Sequence, residues 1–162
     1  FMVSFIFLKI KEITNLLTIY KDITSIKEGI IVHQVNCVGV MGAGIALMIR
    51  DRWPKVYTEY KKWYLSGDLK LGNIQLINVE PNLYVCNLAG QYDIGVYERK
   101  TNYNAVREGF KKLRNLSIFE EMSVFIPYKM GCRLGGGNWD IYSKIIEEEY
   151  PDAIIVRFDK FK

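Results

Sequence analysis

The 162-residue chain is 49% hydrophobic and 25% charged, the balance of an ordinary globular protein, which excludes disordered, collagen-like and coiled-coil readings. Its 22 Lys and Arg against 18 Asp and Glu leave a net charge of +4, too mild to mark a nucleic-acid binder without a clustered basic face. Three cysteines without a CxxC pair make neither a disulfide framework nor a zinc site, one histidine excludes most His-built metal centres, and the cytosol is the expected compartment.

Phe1–Leu8 is apolar apart from Ser4. It is far short of the roughly 20 residues that span a bilayer, and it lacks the basic leader and cleavage site of a signal peptide. A strand is expected there, with Phe1 ahead of Met2 read as a cloning scar. Leu16–Tyr20 and Ile30–Val35 are further strand-length apolar runs. Gly42–Gly44 opens a helix with Ile45, Met48 and Ile49 on one face, and Pro54 begins another, since a missing N–H is tolerated in the first turn. In that second helix Val56, Tyr57, Tyr60, Trp63 and Tyr64 keep helical spacing, so a core-facing stripe with a solvated Lys61-Lys62 edge is preferred over a nucleic-acid surface.

Asn73–Val79 and Leu83–Leu88 flank Glu80-Pro81-Asn82 as a hairpin. After the loop Ala89–Thr101, Asn102 is placed to cap a helix with Tyr103, Val106, Phe110 and Leu113 on its apolar face. Ser123–Pro127 reads as a strand and Lys129–Gly137 as a glycine-rich loop. Asn138–Tyr150 is a helix turning Trp139, Tyr142, Ile145 and Ile146 inward, and Ala153–Phe158 is the last strand. Strands interleaved with helices, without a composition break or repeat, predict a single α/β domain over 1–162, with a mixed, largely parallel sheet covered on both faces.

In open α/β sheets ligands lie where strand ends lead into helix starts, and three such junctions stand out. Asp22-Ile23-Thr24 offers a carboxylate that either accepts from a ligand amino group or caps a turn. Val35–Ala46 carries glycines at 39, 42 and 44 between a buried strand and a helix start, which favours anions, although neither a P-loop nor GxGxxG is present. Pro127–Trp139 holds Gly131, Gly135, Gly136 and Gly137, whose consecutive N–H groups can form an anion-binding concavity. Two such loops in one small sheet suggest a clamp on a diphosphate.

Asp22-Ile23-Thr24, Val35-Asn36-Cys37 with Met41-Gly42-Ala43-Gly44-Ile45-Ala46, and Gly131-Cys132 through Trp139, in that order, resemble the macrodomain family over about residues 16–158. The similar branch includes ADP-ribose 1″-phosphate phosphatases, terminal ADP-ribose protein glycohydrolase and the antitoxin that removes ADP-ribose from DNA. The resemblance implies a three-layer α/β/α fold and an ADP-ribose site. Asp22 would meet the adenine amino group and Ile23 line its pocket. Asn36 and the turn Gly42, Ala43 and Gly44 would border the distal ribose, with Met41 and Ile45 as further ligand-binding residues. Gly131, Cys132, Arg133, Leu134, Gly135, Gly136 and Gly137 would hold the phosphates through backbone N–H groups.

Two departures bear on chemistry. Gly135 stands where the terminal-ADP-ribose enzyme has an aspartate, and Ala89–Glu98 lacks the lysine that the glycohydrolase branches use as nucleophile. Gly135–Trp139 instead resembles the phage phosphatase pattern. The expected activity is therefore hydrolysis of ADP-ribose 1″-phosphate without metal or cofactor. The alternatives are a glycohydrolase acting on ADP-ribosylated protein or DNA, and a reader that only binds.

Asn36 is the main catalytic candidate, with His33 and Asp140 behind it. His33 lies three residues before Asn36, about 10 Å back along the strand, where a buried structural histidine is the first reading. Asp140 either positions a water or is a helix first-turn acid favoured by the dipole. Cys37 and Cys132 flank the site as nucleophiles without a second histidine to activate them. The expected partner is ADP-ribose or a derivative, with nucleic acid entering only as an ADP-ribosylated substrate, no membrane, and a monomeric protein.

Overall fold

β2 (Gly29–Val35) is a run of branched aliphatic residues with both faces covered, as a central parallel strand requires. The structure, a computed structural model, describes residues 14–116 and 121–158; the strand expected over Phe1–Leu8 lies outside them. Before β2 come β1 (Leu17–Tyr20) and a 3-10 turn at Ile23–Ser25. After it follow α1 (Gly44–Arg52), α2 (Pro54–Ser66), β3 (Ile74–Glu80), β4 (Leu83–Ala89), α3 (Tyr103–Arg114), β5 (Val124–Pro127), α4 (Trp139–Glu149) and β6 (Ile154–Arg157). The sheet order is β1-β6-β5-β2-β4-β3, and only the β3–β4 hairpin is antiparallel.

Alternate residues of β2 feed two cores. Ile30 and Val32 pack with Val106, Phe110 and Leu113 of α3 and with Tyr142, Ile145 and Ile146 of α4. Ile31 and Val35 pack with Ile49 of α1 and with Val56 and Tyr60 of α2. This is a three-layer α/β/α arrangement. Asn102 caps α3 by accepting from the Ala105 N–H at 2.9 Å, and Asn138 caps α4 in the same way through Asp140 N. Gly109 lets α3 settle on β4, because a Cβ there would lie 2.6 Å from Leu88 Cγ.

Two stripes divide differently from the helical periodicity. On α1 Ile49 is buried in the core, Ile45 packs at the core's edge and also lines a cleft, and exposed Met48 lines that cleft. On α2 Val56 and Tyr60 are buried and Tyr64 is exposed, lying instead against Gly39, where a Cβ would meet its ring at 2.7 Å. An apolar face needs cover, and periodicity does not say whether core, loop or ligand supplies it.

Candidate ligand-binding cleft

The C-terminal ends of β1, β2, β5 and β6 open into one cleft of about 770 Å³. That volume lies within the range, about 300–1,000 Å³, in which small-molecule ligands are buried. One wall is the chain from Asn36 to Ala46. Asn36 Oδ1 accepts from the N–H groups of Val38 (3.1 Å) and Val40 (3.2 Å), and its Nδ2 donates to Val40 O at 2.7 Å. From below, the buried Tyr60 hydroxyl reaches Asn36 O at 2.7 Å and Oδ1 at 2.8 Å. The amide thus organises the turn first and keeps a single N–H for a ligand.

The next carbonyls are also engaged from outside. Lys61 Nζ donates to Gly39 O at 3.1 Å and Arg50 Nη1 to Met41 O at 3.2 Å. Lys61, expected as a solvated edge, is therefore a support of this loop. With the carbonyls drawn away, α1 begins at the cleft wall. Its N-cap, Ala43, has no side-chain acceptor, so the first N–H groups of the helix are left for an anion.

The opposite wall is the loop after β5, and its hydrogen bonds divide it in two. The N–H groups of Cys132, Gly136 and Gly137 are spent on Lys129 O, Arg133 O and Gly131 O, at 2.9, 3.1 and 2.9 Å. Those of Gly131, Arg133, Leu134 and Gly135 meet no acceptor among the described residues, and these four residues line the cleft. Cys132, Gly136 and Gly137 do not line it, a correction to the expectation for those three. Loop closure consumed their donors. Gly131 (φ +73°) and Gly135 are forced by packing: a Cβ on Gly135 would meet Thr101 Oγ1 at 2.5 Å and Gly131 O at 2.6 Å.

The cleft is electropositive. Lys21, Lys129, Arg133 and Arg157 line it against the single carboxylate of Asp22. Arg157 lies over the Tyr128 ring at 3.7 Å, and Lys129, the one described non-glycine residue at positive φ (60°), borders the same ring. Asp22 Oδ1 accepts from Thr24 N and Thr24 Oγ1, both at 2.8 Å, so the carboxylate caps a turn that lines the cleft and keeps its Oδ2 out of those two bonds. Of the two readings of Asp22, the turn cap is the one these bonds show. Buried Ile23, together with Val156 and exposed Phe158, makes this end apolar enough for a flat base.

His33 borders the cleft, but its imidazole is buried. Nε2 donates to Asn87, Asn87 Nδ2 to Gln75 Oε1 at 3.0 Å, and Gln75 Nε2 to Glu59 O at 2.9 Å, a relay running away from the cleft to α2. Burial pulls the His33 pKa down to about 4, only partly opposed by the Asn87 bond, and Nδ1 has no partner among the described residues. Asp140 is exposed on a separate shallow groove with Tyr103, Arg107 and Lys144. It is thus removed from the cleft by the first turn of α4. Cys37 is buried with its pKa raised, and burial lifts that of Cys132 to about 11, so neither is a ready thiolate. Among the described residues no three His, Cys, Asp or Glu side chains gather as a metal site, and no helix is long and apolar enough to cross a membrane.

No protein-family model matches the chain. A DNA ADP-ribosyl glycohydrolase of Mycobacterium tuberculosis is 42% identical over 136 residues, 76% of this chain and 36% of the relative, so the match spans about a third of that protein's length. A Bacteroides thetaiotaomicron structure of unknown function is 34% identical, with a TM-score of 0.79 over 89% of this chain and 98% of that one. A macrodomain protein from Streptomyces coelicolor is 25% identical, with a TM-score of 0.74 over 88% and 98%. The chain belongs to the macrodomain family. At 18% identity a Thermosipho africanus DarTG structure in complex with ADP-ribose shares the fold of this macrodomain, with a TM-score of 0.71 over 89% of this chain and 42% of that one.

The roof of the macrodomain cleft is the loop after β4, where sequence reasoning missed most. Gln91, Ile94, Gly95 and Val96 line the cleft, and Gln34 reaches it from β2. Lys100 closes the base of this loop, pairing with Asp93 at 3.3 Å and Glu98 at 3.2 Å. Its hydrogen bonds to Glu98 and Asp93 raise its pKa and keep it protonated. The loop's lysine is a staple, a poor amine nucleophile. Exposed Ile94 and Val96 on either side of Gly95 are the sequence signal for this roof.

Proposed function

We propose that this macrodomain binds ADP-ribose along the cleft and hydrolyses the phosphate ester at C1″ of the distal ribose. The observation that carries the reading is the coincidence of free donors with the cleft wall. Gly131, Arg133, Leu134 and Gly135 present N–H groups without an acceptor among the described residues, opposite the uncapped start of α1, where a diphosphate would be held from both sides. The adenine amino group then meets Asp22, and the distal ribose lies under Ile94–Val96 beside the remaining Asn36 N–H. The Mycobacterium tuberculosis relative and the ADP-ribose-bound fold relative agree with this ligand class.

In this pose water attacks phosphorus, the bond from phosphorus to the C1″ oxygen breaks, and ADP-ribose leaves as that oxygen takes a proton. The protein supplies position and electrostatics: backbone donors fix the diphosphate, and Arg133 meets charge on the transferring group. Lys100, held by two carboxylates, makes a lysine-bound intermediate unfavourable, which supports the phosphatase over a covalent glycohydrolase route.

The 42% identity to a DNA ADP-ribosyl glycohydrolase favours a second reading, release of ADP-ribose from modified DNA at the same end of the cleft. One assay separates them. Phosphate from ADP-ribose 1″-phosphate is expected, with activity surviving EDTA and retained within about threefold in Lys100→Arg, which keeps both ion pairs and removes the amine. ADP-ribose released only from an ADP-ribosylated oligonucleotide selects the second reading, and binding without turnover on either leaves a reader.

A further inference from the structure

Resting on the ADP-ribose reading above, we propose that Gln34 is a positioning residue for the reaction, locking the loop that holds the diphosphate to the loop that covers the distal ribose. Gln34 is half-buried near the end of β2. The Tyr142 hydroxyl donates to its Oε1 at 2.9 Å, and its Nε2 donates to Gln91 Oε1 and to Thr101 Oγ1, each at 2.9 Å. The Thr101 hydroxyl passes the chain on to Gly131 O at 2.6 Å, and Gln91 Nε2 donates to Asp93 O at 2.8 Å. Every donor has one acceptor, so the polarity of the network is unique.

Both Gln34 N–H groups are spent, so Gln34 offers no donor to a ligand although it borders the cleft. Its partners lie 57, 67 and 108 residues away, so segments distant in the chain meet on one amide. The space around it is filled. A Cβ on Gly90 would lie 2.5 Å from Gln34 Oε1, and one on Gly131 would lie 2.7 Å from the same atom and 2.6 Å from the Tyr142 ring.

Gly135 O still accepts from the N–H groups of Lys100 (2.8 Å) and Thr101 (2.9 Å), so the two loops stay joined without Gln34. What the amide sets is their relative placement. Affinity is spread along adenine and diphosphate, whereas rate depends on the distance at the reacting end, where a shift of about 1 Å costs on the order of 100-fold.

The test uses Gln34→Glu, which keeps the acceptor for Tyr142 and removes both donated bonds, together with Thr101→Val and the double variant. A folded protein is expected, with the ADP-ribose Kd within about fivefold, kcat lowered at least tenfold by Gln34→Glu and less by Thr101→Val, and the double variant no worse than Gln34→Glu alone. Amide hydrogen exchange should rise together in residues 90–101 and 130–137. An unchanged kcat with only a lower Tm would overturn the proposal. So would a tenfold loss of affinity at wild-type kcat, or faster exchange confined to one loop. Wild-type ADP-ribose binding is measured separately: its absence removes the substrate reading, while the exchange result still decides whether Gln34 couples the loops.

Discussion

The Tyr60 hydroxyl lies 2.8 Å from Asn36 Oδ1 and 2.7 Å from Asn36 O, so a helix on the far side of one core holds the turn that begins the cleft. Tyr60 is fully buried, and burial pushes its hydroxyl pKa well up, so it stays a donor at any ordinary pH. Tyr60→Phe leaves Asn36 short of that donor and should cost about 1–2 kcal/mol. ADP-ribose affinity should fall a few-fold as the turn loosens. Asn36→Ala removes the turn's hydrogen bonds as well as the free N–H and should lower kcat about tenfold or more. Urea unfolding and steady-state kinetics on both variants check this.

In the proposed pose Asp22 grips one end of the ligand, away from the reacting atoms. Asp22→Ala should raise KM by on the order of 10–100-fold while kcat stays near wild type, because a charge-assisted hydrogen bond of about 1.5–3 kcal/mol is lost equally from ground and transition states. The loss of the Thr24 cap should add a small fall in Tm. A collapsed kcat at unchanged affinity would mean that the ligand lies the other way across the sheet.

Glycines 42 and 135 separate ligand space from protein space. A Cβ on Gly42 meets no protein atom within 4 Å, and its φ is not in the left-handed region, so Gly42→Ala should leave Tm nearly unchanged while weakening ADP-ribose binding. Gly135→Ala forces Thr101 and Gly131 apart and should lower both Tm and affinity. Thermal shift with and without ligand distinguishes the two patterns.

Much of this was legible in the chain. Alternation between strand-length runs and helical stripes gave the layers, because β2 is buried on both faces, and Val106, Phe110 and Leu113 on α3 and Tyr142, Ile145 and Ile146 on α4 repeat at helical spacing. Asp22, Asn36 and the two glycine loops were legible because strand-end carboxylates, amides and clustered glycines carry chemistry that loops seldom need otherwise. Gln34 was not, since a lone amide inside a strand gives no sign of partners so far along the chain. Asp140 misled for the opposite reason: it follows the glycine loop in sequence, yet a first turn capped by Asn138 carries it away from the cleft. Nor does spacing alone tell that Met48 and the outer side of Ile45 line the cleft while Ile49 is buried in the core.

His33 should make stability pH-dependent. In the folded state it takes no proton until about pH 4, whereas in the unfolded chain it protonates below about 6.5. The unfolded state therefore binds more protons between these values, and stability falls as pH drops through the window, by up to about 3 kcal/mol. Urea unfolding of wild type and His33→Gln at pH 7.5, 5.5 and 4.5 should show the wild type losing more stability on acidification. Parallel profiles would show that the imidazole protonates alike in both states.

In the proposed pose the backbone donors of two loops hold the ligand's diphosphate, and amide NMR reads those donors directly. On titration with ADP-ribose, the N–H resonances of Gly131, Arg133, Leu134, Gly135 and the first residues of α1 should move most. Those of Cys132, Gly136 and Gly137, already bonded within the loop, should move little. Saturable shifts with that division are the predicted result. Unchanged spectra at millimolar ADP-ribose, or shifts centred on the Asp140 groove, would contradict it.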